Sequence, residues 1–312
     1  VQVIARELGR LEFESRLGGM ISRVHDPRHG FAGPGSLSWK LAGEAVLYAG
    51  GPRALLMQFA HPKVAQGVAD HSHFRKDLLG RTVRTFMAVN TLLFGTVDEA
   101  AATARRIHRV HERVRGRLPQ AAGLHAAGDP YAANDPTLIA WVWATLLDST
   151  IVAYEQFVSP LTETQRERFY EESCEFSGLF GLPREAYPAT HAEFVARIDE
   201  MIASGEVAVN PTARELAGVL TGQLGSLGPL FRLLAAGTLP TALREAFGLS
   251  WDPRTRGAYN AMRLGLRGIV RVVPQSLRTI PMATRAARRC RGVVAGDPAV
   301  ALTTASRARV SS

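Results

Sequence analysis

Histidine is the side chain best suited to ligating a metal or moving a proton near neutral pH, and its distribution in this sequence is uneven. Six of the nine histidines, His61, His71, His73, His108, His111 and His125, fall between residues 61 and 125, while His25 and His29 precede them and His191 follows. Two of the six share a helix predicted to start after Thr96. Along it Ala100, Ala104, Ile107, His111 and Val114 recur at spacings of three or four, as on a helix face turned inward. His108 lines up instead with Ala101, Arg105, Glu112 and Arg115, the wetter side. The pattern therefore expects His111 in the interior and His108 toward water. A buried imidazole needs a partner for its nitrogen. A carbonyl or carboxylate would make it an ordinary core histidine; a metal would make it a ligand.

The elements that position these residues are helices. Thr96 with Glu99 reads as a capping box opening a helix to about Arg115, and Asp135-Pro136 supplies a cap and first-turn proline for a helix to about Val158. Thr162 with Gln165 opens the next, closed near Gly181, and Thr190 with Glu193 opens another, closed near Gly205. Asn210-Pro211 and Asp252-Pro253 start two more. Alternating β-branched runs between turn dipeptides are scarce. The expected fold is all-α, a single multi-helix globular domain of nine to twelve helices. Its simplest division is an N-terminal arm over 1–30, a helical core over 31–248 and a basic helical tail over 249–312.

Composition narrows the function classes. With 46% hydrophobic and 21% charged residues, the chain of 312 can bury a large core. Cys174 and Cys290 lie far apart without a CxxC or CxxCH pattern, which indicates neither a disulfide framework nor covalent haem attachment and fits a reducing, cytoplasmic setting. No charge-free run reaches the roughly 18 apolar residues of a membrane span. The stretch from Leu216 to Phe231 comes closest and is interrupted by four glycines and Pro229, so no transmembrane helix is expected. The opening VQVIARELGR carries charge early and has no apolar h-region, unlike a signal peptide.

The net charge of +9 belongs to the tail, because residues 241–312 hold 13 arginines against three acids. Arg263, Arg267 and Arg271, with Leu264, Leu266, Ile269, Val270 and Val273 between them, describe a basic amphipathic helix suited to peripheral membrane contact or to packing on the core with its arginines exposed. No paired aromatics of an RNA-binding sheet and no zinc-finger spacing occur, and nucleic acid is not an expected partner.

The runs GGPRALLMQFAHPKVAQGVADHSHFRKD (50–77), GRTVRTFMAVNTLLFGT (80–96) and RRIHRVHERVRG (105–116), followed by DPYAANDPTLIAWVWATLLDSTIVAYEQFVSPLT and FSGLFGLP, resemble the catalytic domain shared by rubber oxygenases and MpaB-type oxygenases. The resemblance runs to about residue 240. It implies an α-helical fold enclosing non-covalent haem b, molecular oxygen as co-substrate, a hydrophobic small-molecule substrate of isoprenoid or natural-product type, and His111 as proximal iron ligand. Arg81 and Thr85 match its R-x-x-x-T pattern, which implies a place for both beside the haem, and spacing of four puts them on one helix face. His61 and His71 fall in its AHP and DHS motifs, where either can donate to a propionate or to a backbone carbonyl.

Two departures stand out. Rubber-cleaving members carry a lysine just before that threonine, whereas Arg84 stands here, and a guanidinium is a poor iron ligand. Their upstream glutamate has no counterpart, since Met57 to Ala69 contains no acid; Asp70, the nearest carboxylate, is expected in a local helix-end or turn role. Polyisoprene is therefore not the first substrate expected. Asp148, a lone acid amid apolar residues, is placed to fix a histidine or an arginine. Two other readings stay open. One is a non-haem metal enzyme built on His71, His73, His108 and His111, although neither HExxH nor ExxH occurs. The other is a non-enzymatic membrane-surface binding protein acting through the basic tail.

Overall fold

The computed structural model describes residues 7–71 and 74–292. Among them run fifteen α-helices: α1 (Arg10–Ile21), α2 (Leu37–Ala42), α3 (Gly51–Ala60), α4 (Pro62–His71), α5 (Phe74–Phe94), α6 (Val97–His111), α7 (Pro136–Phe157), α8 (Glu163–Phe176), α9 (His191–Ser204), α10 (Pro211–Gln223), α11 (Gly228–Thr238), α12 (Thr241–Ala246), α13 (Pro253–Val272), α14 (Gln275–Arg278) and α15 (Pro281–Cys290). One antiparallel ribbon, β1 (Arg115–Arg117) on β2 (Pro130–Ala132), interrupts them, with Gly116 opposite Tyr131. The fold is all-α, as the punctuation predicts. The surplus over twelve helices lies in short elements such as α2, α12 and α14, too brief to show a periodic face.

Local chemistry sets the helix ends. Thr96 and Thr162 each close a reciprocal capping box, with Glu99 and Gln165, and Asp135, Asn210 and Asp252 cap helices whose first residue is proline. Gly205 ends α9 with φ of 82°, a left-handed turn that an L side chain resists.

α7 is the central strut. Among the described residues its 22 are the ones long and apolar enough to cross a membrane by length and composition, rather than the 216–231 stretch, and most of them are buried inside the protein. Trp141 and Trp143 fill the core while their indole N–H groups donate to the carbonyls of Met57 (3.2 Å) and Ser173 (2.9 Å). Asp148 does fix an arginine. Arg53, buried on α3, donates through Nε to Asp148 at 3.0 Å and also reaches the Thr238 carbonyl, tying α3, α7 and α11 together. A buried pair this well satisfied holds register, and removing either partner would leave an uncompensated charge.

The core draws on all three sequence segments. Phe13 and Leu17 of α1 are buried in it, as are Ile280, Ala283 and Ala286 near the other end. Tyr259 of α13 packs edge-on against Phe157 and lies over Gly237, where any Cβ would overlap its ring. Arg278 approaches buried Glu44 at 3.4 Å, and Arg289 donates to the carbonyls of Arg28 and Phe94, closing the C-terminal end of α5.

Candidate functional site

α5 and α6 form an antiparallel hairpin whose turn is Gly95-Thr96. In such a hairpin, residues equidistant from the turn lie side by side. Arg81 precedes Thr96 by 15 residues and His111 follows it by 15, about 22 Å along each helix. The two side chains are accordingly close enough for the guanidinium to act on the imidazole. Burial first, and then the positive charge of Arg81, push the His111 pKa down to about 4. Arg81 is itself lowered, by burial and by Arg84. Both side chains are half-buried. Among the described residues neither side chain has a hydrogen-bond partner. A neutral imidazole and an unpaired guanidinium thus lie close to each other, chemistry able to bind a metal and an anion respectively.

The other sequence candidates are distributed differently. Thr85, one turn along from Arg81 and exposed, donates its hydroxyl to the Arg81 carbonyl at 3.0 Å, leaving its oxygen lone pairs available. Arg84 points to solvent and pairs with exposed Asp77 at 2.9 Å, so it belongs to the helix surface. His61 is buried at the start of α4, where Nδ1 accepts from the Lys63 N–H at 3.3 Å and the ring lies 5.2 Å from that of His125. Burial, helped by His125, pushes its pKa down to about 3. His71 donates from Nε2 to the Arg115 carbonyl at 2.8 Å, fastening α4 to β1. The backbone-carbonyl role foreseen for this motif is the one His71 takes. His73 lies outside the described residues.

His108 corrects the helical-face reading. It is only 5% exposed, stacked on Phe13 with ring centroids 4.3 Å apart, whereas His111 keeps partial access to solvent. The reason is that α6 has two covered sides, one against α5 and one against α1 and the segment 177–180, and no periodicity within α6 reveals the second. His108 Nε2 is enclosed without a hydrogen-bond partner; Glu112 stands 3.7 Å away. Asp70 has wider duties than a turn. It accepts from Gln66 at 2.7 Å and from the Tyr131 hydroxyl at 2.5 Å, fixing β2 to α4.

Among the described residues no three His, Cys, Asp or Glu side chains converge on a possible metal position. Two recesses, about 750 Å³ between α1 and α8 and about 520 Å³ between α10 and α11, are lined by neither His111 nor Arg81. Arg53 is the buried polar residue that sequence reasoning missed, and a lone cation inside the apolar run Gly50–Ala60 was the available signal.

Residues 39–273 match the family model described as the catalytic domain of ER-bound oxygenase mpaB/B' and rubber oxygenase. No curated protein and no solved structure matches the chain.

Proposed function

The chain belongs to the catalytic-domain family of the mpaB/B' and rubber oxygenases, and we propose that it is a haem b-dependent oxygenase of a hydrophobic small molecule, isoprenoid or natural-product-like, in which His111 would hold the iron. One observation supports the haem assignment: the unpaired, neutral imidazole of His111 close to the unpaired guanidinium of Arg81. His71 and His125 each have a carbonyl partner, and buried His108, though it lacks one, stacks on Phe13. His111 has none, and a nitrogen lone pair kept free of protons at neutral pH is what iron ligation requires.

Haem iron, when bound, supplies the oxygen chemistry. The protein's share is positional and electrostatic. His111 offers its lone pair from the end of a capped, rigid helix. Arg81 brings a fixed positive charge into surroundings poor in water, able to hold a propionate or to stabilise negative charge on oxygen. The Thr85 oxygen adds a polar contact one turn away. Arg84 faces water, paired with Asp77, and a guanidinium would not ligate iron there as a lysine could. The acid-free stretch from Met57 to Ala69 argues for a substrate other than polyisoprene.

The visible spectrum tests this directly. Protein produced with adequate haem should show a Soret band and release haem b into acidified acetone. Protein that stays colourless when titrated with hemin refutes the proposal.

A further inference from the structure

Among the described residues nothing covers the outward side of α13. Tyr259 and Val270, three turns apart, mark its buried side. Opposite them Ala261, Leu264, Gly265, Gly268 and Val272 are all exposed, and the two glycines meet nothing within 4 Å. Leu264 is 60% exposed, Ile269 55%, Val272 80%, and Leu277 on α14 77%. Four large apolar side chains along one helix and its continuation are more than scattered surface hydrophobics.

Charge surrounds this strip. Residues 253–296 contain ten arginines and no acid. Arg278 is engaged with Glu44, and Arg289 donates to carbonyls. The other eight have no acidic partner among the described residues. Arg263 and Arg267 flank the apolar strip half-buried, and Arg271 flanks it exposed. Of the apolar residues interleaved with these arginines, Leu266, Val270 and Val273 turn inward, while Leu264 and Ile269 reach the outside with the arginines.

We infer that this face is a docking surface for an anionic lipid bilayer, with Leu264, Ile269, Val272 and Leu277 entering the headgroup boundary while the flanking arginines meet lipid phosphates and carboxylates. Apolar insertion beside a basic rim is the pattern of interfacial helices. A second copy of the chain would bring two arginine rows together with no acid between them. A nucleic acid would leave the leucine and isoleucine side chains in water. The bilayer satisfies both features, and the inference does not depend on haem.

The test uses the full chain and co-sedimentation with vesicles of phosphatidylcholine alone or with roughly a third phosphatidylserine. The protein should favour the anionic vesicles and lose binding as salt rises. The triple variant Leu264→Ser, Ile269→Ser, Val272→Ser, all at exposed positions, should keep its helical circular dichroism and partition at least about tenfold more weakly. Arg263→Gln with Arg271→Gln should weaken binding and flatten the salt dependence. A triple variant that binds like the parent, equal binding to neutral and anionic vesicles, or concentration-dependent self-association in place of vesicle binding overturns the inference.

Discussion

Replacing His111 with alanine separates its two roles, in folding and in ligation. In the haem-free protein the imidazole makes no hydrogen bond, so its removal strands no partner. Its protonation equilibrium does affect stability. An unfolded histidine titrates near 6.5, while the folded His111 is held down to about 4. The folded state therefore binds fewer protons, and stability is complete above about pH 6.5 and falls as the pH drops toward 4. At about pH 5, some 1.5 units below the unfolded value, the loss is about 2 kcal/mol at about 1.4 kcal/mol per unit. Urea denaturation of the haem-free protein near pH 7.5 and pH 5 should show His111→Ala losing about 2 kcal/mol less than the parent across that interval. His61→Asn, which keeps a capping acceptor, should relieve a similar amount, because His61 is held down to about 3. The two variants part on reconstitution with hemin: His111→Ala loses the Soret band and regains it with added imidazole, whereas His61→Asn keeps the parent spectrum. An unchanged pH slope in His111→Ala refutes the picture of a desolvated imidazole. A folded His111→Ala protein with an unaltered haem spectrum moves the ligand to His61, His71 or His108.

Three further outcomes follow from the geometry. His108→Ala should keep the Soret band but lose about 1–3 kcal/mol in urea denaturation, since it removes the ring stacked on Phe13 and leaves a cavity. Arg81→Ala should retain part of its haem and lower oxygen-dependent turnover by about tenfold or more, while Arg84→Ala should leave the spectrum unaltered and stability within about 0.5 kcal/mol. Arg53→Met or Asp148→Asn should each cost about 3–5 kcal/mol, seen as a lowered melting temperature, and Arg53→Met combined with Asp148→Leu should recover much of that.

What could be read from the sequence is what local chemistry decides. Thr96 with Glu99 and Asp135 with Pro136 announce helix starts because the atoms that satisfy the first N–H groups lie within three residues of them. The pairing of Arg81 with His111 went unread, because their equal distance from Thr96 matters only once α5 and α6 are seen to fold back on each other. The environment of His108 was not legible either, because its cover, Phe13, is 95 residues away in sequence and no pattern within α6 refers to it. The C-terminal segment misleads for the same reason. Its arginines give it the composition of a solvated tail, yet Ile280, Ala283 and Ala286 reach the core and Arg289 finds carbonyls on two distant elements. Asp148 falls between these cases: its need for a cation was evident, while the choice of Arg53 was settled by how α3 crosses α7.

The α5–α6 hairpin is also a lever. Arg81 and His111 sit at its far end, about 22 Å from the pivot at Gly95-Thr96, so a tilt of about 5° there would displace the pair by about 2 Å, comparable to the whole length of a metal–nitrogen bond. The pivot is correspondingly braced. Gly30, at φ 65°, lies against the Gly95 carbonyl with no room for a Cβ, and Arg289 grips the neighbouring Phe94 carbonyl from α15. Placement of the Arg81–His111 pair is thus set partly by residues a helix-length away from it, contributed by two segments far apart in the sequence.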